Sequence, residues 1–196
     1  MRELLIATSN AGKLKEMREL LEDVPFKILT LADVEAGEEV EETGETLGEN
    51  AILKARVYGA RTGKLTLAED TGLEVDALGG APGVRSARYG KDDSDRNAKL
   101  LKELADVPEE KRGAVFRTVA AIYDPERDLL RTTEGTCRGR ILREPRGNKS
   151  FGYGPLFYAD ELGKTLSEAE MEERNTVSHR GRAIAKAREI LLEEFV

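Results

Sequence analysis

The stretch "LAEDTGLEVDALGGAPG", residues 67–83, sets Glu69 and Asp70 side by side behind an apolar lead and then fills with glycine. "KLTLAED" reads as a strand that ends on the two carboxylates, with "TGLEVDAL" as a further strand beyond them. Ligands of open α/β sheets bind where strands end in this way. Neighbouring strand residues point to opposite faces, so the two acids need not share a task. A carboxylate set beside a divalent cation can hold it and direct a water at a phosphate. The same residues also read as an Asx turn, with Asp70 capping the loop toward "TGL".

Outward from this stretch, strands and helices alternate. "LLIAT" (4–8) is a short apolar run, and "NAGKLKEMRELLED" carries Leu14, Met17, Leu20 and Leu21 at helical spacing. "FKILTL" continues as a strand and "TLGENAILKARVYGARTG" as a helix that Gly63 ends. "SDRNAKLLKELADVP" reads as a helix opened by Ser94 that stops before Pro108. The long segment 113–141 looks like a hairpin turning at Asp124 and Pro125. The C-terminal helix puts Ile184, Ala187, Leu191 and Phe195 on one face, with Ser178 as N-cap. No composition shift or linker marks a boundary, so residues 1–196 read as one α/β domain with a mixed sheet.

Composition excludes several classes. No apolar run approaches the roughly 20 residues that cross a bilayer. "MRELLIATSN" reads as a first strand and not a signal peptide, which points to the cytoplasm. A net charge of −7 argues against a nucleic-acid partner, whose binding draws on Lys and Arg neutralising phosphates. Cys137 is the single cysteine and His179 the single histidine, so neither a disulfide nor a thiolate-rich metal site is available. A dehydrogenase is disfavoured because no glycine-rich fingerprint follows the first strand.

Five places offer chemistry. "TSNAGK" (Thr8, Ser9, Asn10, Ala11, Gly12, Lys13) joins strand to helix, where amide N–H groups, the dipole and an ammonium suit an anion. Asn10 as a plain helix cap is the bland alternative. Asn50 and Lys54 are four apart and share a helix face. Asp70 and Glu69 form the third place, and the acidic block 35–45 reads either as a solvated loop or as a recruiter of Mg²⁺. "GNKSFGYGP" (147–155) can present an aromatic ring to a flat ligand or can simply pack. In "SHRG", Arg180 at a helix start is at odds with the dipole unless an anion or a base carbonyl lies nearby.

Taken together, "ATSNAGKLKE", "EETGETLGENAILKA", "LAEDTGLEVDALGGAPGVRSARY", "GRI", "FGYGPLF" and "SHRGRA" resemble the inosine triphosphate pyrophosphatase (Ham1-like) family, also called dITP/XTP pyrophosphatases, over nearly the whole chain. The resemblance implies an elongated mixed sheet with two lobes around a central cleft. It implies hydrolysis of non-canonical purine triphosphates (ITP/dITP, XTP/dXTP) to monophosphate and pyrophosphate, with Mg²⁺ and as a homodimer. Carried over by position, Thr8 to Lys13 form the phosphate loop, Glu41 (or its neighbour Glu42) is a metal ligand, and Asn50 and Lys54 face the triphosphate. Asp70 is the general base and a metal contact, with Thr71 beside the substrate. The base pocket falls on Phe151, Gly152, Tyr153, Gly154, Arg174, His179 and Arg180. Three positions depart from the family pattern: Glu69 where Asp is usual, Gly154 in place of the acid of FGYD, and Arg174 where Lys is usual. A relaxed base preference, or a nucleotide-sensing module without turnover, are the competing readings.

Overall fold

Leu4, Leu5 and Ile6 are consecutive, apolar and wholly buried. A strand covered on both faces needs no alternation. In the computed structural model, which describes all residues 1–196, β1 (Arg2–Ile6) leads through α1 (Ala11–Leu20) to β2 (Phe26–Thr30). The chain continues as α2 (Leu47–Thr62), β3 (Leu65–Val75), β4 (Pro82–Gly83), α3 (Asp93–Glu103), β5 (Gly113–Asp124) and β6 (Leu129–Ile141). It closes with β7 (Phe157–Ala159), β8 (Lys164–Thr165), α4 (Met171–Val177) and α5 (His179–Glu194). The strands form one mixed sheet ordered β2-β1-β3-β5-β6-β7-β8, with β4 paired to β3. β1 is parallel to β2 and to β3, whereas β4, β7 and β8 pair antiparallel. No helix is long and apolar enough to cross a membrane.

The chain divides into two compact units, the first built from Met1–Asp70, Thr118–Gly135 and Arg180–Val196, the second from Thr71–Arg117 and Thr136–His179. In the first unit the period of two along the strands sorts residues onto two faces. Leu4, Ile6, Leu65 and Leu67 pack with Met17 of α1 and with Ile184, Ala187 and Leu191 of α5. Leu5, Ala7 and Ala68 pack instead with Ala51, Ala55 and Tyr58 of α2. The second unit has its own core of Leu73, Val75, Leu100, Leu104, Phe116, Tyr153 and Phe157, with Cys137 buried inside it.

Two expectations need correction. β3 is one continuous strand and does not end at Glu69 and Asp70, which excludes an Asx turn there. On one edge β1 accompanies β3 through Leu67 and β4 pairs from Leu73, while β5 lies along the other edge. Asp92, and not Ser94, caps α3, because its side chain accepts from the Asp95 N–H. The short helix α4 has no counterpart in the sequence reading; its seven residues are too few to show a period. The hairpin turning after Asp124 and the glycine end of α2 at Gly63 are as expected, while Ser178 is extended at the junction of α4 and α5.

The start of α2 is fixed by a capping box in which Thr46 and Glu49 satisfy each other's backbone N–H. Thr46→Ala is expected to reduce stability by about 1 kcal/mol, read as a lower urea midpoint at unchanged slope.

Candidate active site

The period of two that sorts the core also sorts the carboxylates. Asp70 follows Ala68 onto the α2 face, and Glu69 follows Leu67 onto the α1 and α5 face. Both lie past the point where β1 stops pairing with β3, on the side where the chain turns from β1 into α1.

On the α2 face, Asn50 and Lys54 stand one turn apart. Asn50 Nδ2 donates to Asp70 Oδ2 at 3.1 Å while its Oδ1 accepts from the Gly44 N–H at 2.7 Å, which fixes the amide in one orientation. Lys54 Nζ meets Glu42 Oε1 at 2.5 Å, the Glu69 carbonyl at 2.8 Å and Asp70 Oδ1 at 3.7 Å. Asp70 is only 4% exposed. Burial, assisted by Glu42, raises its carboxyl above the ordinary range despite Lys54. Lys54 is raised as well: burial works against its charge, but Asp70, Glu42 and Glu69 outweigh it. The ammonium is thus outnumbered by carboxylates, and the cluster is short of positive charge. Of the two acidic candidates on the preceding loop, Glu42 reaches Lys54, while Glu41 is exposed.

On the other face, Lys13 Nζ pairs with Glu69 Oε1 at 2.7 Å, Arg180 Nη2 lies 3.5 Å from the same oxygen, and Arg180 Nη1 meets Glu16 Oε2 at 2.6 Å. Burial opposes the Glu69 charge, but Arg180, Lys13 and Lys54 hold its carboxyl far below the usual range. Arg180 is likewise raised against its own burial by Glu69 and Glu16. The misfit of an arginine at a helix start is therefore relieved inside the protein, by two carboxylates. Glu16, 164 residues away in sequence, was not foreseen; nothing local marks a glutamate on α1 as an arginine's partner.

The loop before α1 behaves as its composition predicts. Asn10 Oδ1 accepts from the Lys13 N–H at 3.0 Å as the helix cap, and Thr8 Oγ1 accepts from the Asn10 N–H at 3.2 Å. Ser9 Oγ donates to Glu39 at 3.0 Å, and Ser9, Asn10 and Ala11 are exposed with Gly12 half-buried behind them.

The remaining candidates lie in the second unit. Thr71, next on β3, and Phe151 are half-buried. Tyr153 belongs to the core, its hydroxyl donating to the Ser86 carbonyl at 2.9 Å. Arg174 Nη1 donates to the carbonyls of Lys149, Leu166 and Ala169 at 3.2–3.3 Å, so this guanidinium shapes the backbone around it. His179 stacks on Phe116, with centroids 4.4 Å apart and planes at 11°. A Cβ at Gly154 would stand 2.6 Å from Ser150 Oγ, a hydroxyl free to rotate aside, and 3.1 Å from the Phe151 carbonyl.

Sheet order, the capped start of α1 and the buried carboxylate–lysine cluster together define an α/β protein with an acidic site in which one ammonium meets two carboxylates. The chain belongs to the Ham1 family, whose model matches residues 4–190. A Desulforamulus reducens protein named dITP/XTP pyrophosphatase is 50% identical over 197 residues, spanning 99% of this chain and 98% of its own. A HAM1 protein from Coxiella burnetii superposes with a TM-score of 0.89 at 40% identity, covering 98% of this chain and all of its own. The Staphylococcus aureus Ham1 protein gives 0.86 at 35% identity, with 98% of this chain and 100% of that one covered.

Proposed function

We propose that this chain hydrolyses non-canonical purine nucleoside triphosphates, ITP/dITP and XTP/dXTP, to the monophosphate and pyrophosphate. The carrying observation is Asp70, a buried carboxylate oriented by Asn50 and set beside Lys54 in a cluster short of positive charge. The names of full-length relatives such as the dITP/XTP pyrophosphatase of Desulforamulus reducens support the substrate class. Their coverage supports treating residues 1–196 as one catalytic domain.

In this reading Lys13 and Lys54 neutralise the triphosphate, and Asn50, Thr71 and the amides from Thr8 to Gly12 orient it. Asp70 directs a water in line at one bridging phosphorus and takes up its proton. A divalent cation, Mg²⁺ in our assignment, fits the donor set: Asp70 and Glu42 are hard oxygen ligands converging on one ammonium, with Glu41 beside them on the loop. No group of three or more His, Cys, Asp or Glu side chains is gathered; such an ion is commonly held by one or two carboxylates with phosphates and water. Bound there, it would supply further charge neutralisation at the phosphates.

The base is assigned to Phe151, Gly152, Tyr153, Gly154, Arg174, His179 and Arg180. Donors among them would match the 6-oxo group of hypoxanthine or xanthine, whereas the 6-amino group of adenine sets donor against donor. A buried unsatisfied donor costs about 1–3 kcal/mol, enough for tenfold discrimination or more. Pyrophosphate release from dITP or XTP with Mg²⁺ is therefore expected to run at least tenfold faster than from dATP. Assays across eight triphosphates test this, and equal rates on all would refute the assignment of the base. A homodimer in the cytoplasm completes the proposal, and sedimentation of the purified protein tests the dimer.

A further inference from the structure

Phe151 to Gly154 form a loop that is tied down at almost every point. The Tyr153 ring packs in the core of the second unit and its hydroxyl is held by Ser86. The Gly154 N–H donates to the Phe151 carbonyl at 3.1 Å, closing a turn. The freedom that remains lies at Gly152, whose φ is +62°. A Cβ there would meet nothing within 4 Å, so backbone angles and not crowding call for glycine. Left alone, such a residue would let Phe151 swing against Tyr153.

Helix α3 removes that freedom. Asp93 Oδ2 accepts from the Gly152 N–H at 2.7 Å, and Asn97 Nδ2 donates to the Gly152 carbonyl at 3.0 Å. The two side chains are four residues apart and so share a helix face. The N–H belongs to the peptide plane joining Phe151 to Gly152, and the carbonyl to the plane joining Gly152 to Tyr153. Holding both planes fixes the two soft dihedrals between them. The helix is itself firmly seated: Leu100 and Leu104 are fully buried, and Arg96 pairs with Asp93 while donating to the Ala87 carbonyl at 2.7 Å.

We propose that Asp93 and Asn97 form a two-point backbone clamp on Gly152 that orients Phe151 and thereby sets nucleobase selectivity. They act as positioning residues, through the loop and not on the substrate. The inference rests on the assignment of the base to this loop.

The test compares kcat/KM for dITP and for dATP in the intact protein, its Asp93→Ala and Asn97→Ala variants, and the conservative Asp93→Asn, which keeps an oxygen acceptor. Both alanine variants are expected to lose at least fivefold of the dITP-to-dATP ratio. Inhibition by inorganic pyrophosphate should stay unchanged, and the loop should show faster amide exchange at a Tm within about 3 °C of the parent. Asp93→Asn should hold the ratio within twofold. If either alanine variant fails to fold, Asn97→Asp, which keeps the shape but loses the donor, reads out the same ratio. An unchanged ratio, or an equal fall in rate on both nucleotides, overturns the clamp. A parent protein that prefers dITP while its variants keep that preference sinks the clamp alone; one that hydrolyses neither sinks it together with the function.

Discussion

Asp70→Asn is expected to release pyrophosphate from dITP at least about 100-fold more slowly than the parent, the loss typical of removing a positioned general base. The substitution keeps the volume, and an amide oxygen can still accept from Asn50, which lies 3.1 Å from the present carboxylate. What disappears is the charge beside Lys54 and the capacity to take a proton from water. Because burial already raises this carboxyl, replacing it by a neutral amide should leave the Tm unchanged or slightly higher. Initial rates alongside a thermal melt separate the two effects. A variant within threefold of the parent would remove Asp70 from the chemistry.

Glu69→Gln should damage stability far more than most single changes, by about 3–5 kcal/mol, a large part of the 5–15 kcal/mol typical of a domain. Its carboxylate is the partner of Lys13 and one of two for Arg180, and the side chain has no exposure. Taking it away leaves two cations in a poorly solvated place with Glu16 alone to answer them. The folded pKa is depressed, so this contribution is complete above the unfolded value of about 4.3 and drains away as pH falls through the lower folded value. Urea unfolding of parent and variant should therefore show a wide gap at pH 7 that narrows steadily below pH 4. A gap that does not change with pH would mean that the lost free energy comes from packing and not from charge.

Much of the first unit could be read directly from the chain. The apolar run Leu4–Ile6, the helical spacing of α1 and α5, and the glycine that ends α2 are local signals, and local signals survive folding. The pair Glu69–Asp70 was recognised as chemistry for a partly mistaken reason, since the strand runs on through both. The neighbours β1 and β5, supplied by segments far away in sequence, carry β3 through this point. The same limit applied to Arg180, whose awkward place at a helix start was visible but whose partner Glu16 was not. Arg174 Nη1 and the Tyr153 hydroxyl also donate to backbone carbonyls of the second unit, partners that nothing in the local sequence marks. Asp93 and Asn97 show a one-turn spacing in sequence, but nothing there points to a glycine more than fifty residues later.

The first unit is assembled from three separated pieces of chain, and the last of them carries Ile184, Leu191 and Phe195 into its interior while Arg2 bonds the Phe195 carbonyl. A ribosome delivers about 5–20 residues per second, so the opening strands wait on the order of ten seconds for the segment that covers them. Until α5 has been made, Leu4, Ile6, Leu65 and Leu67 have only α1 to cover that face, so closure of the first unit waits for the end of translation.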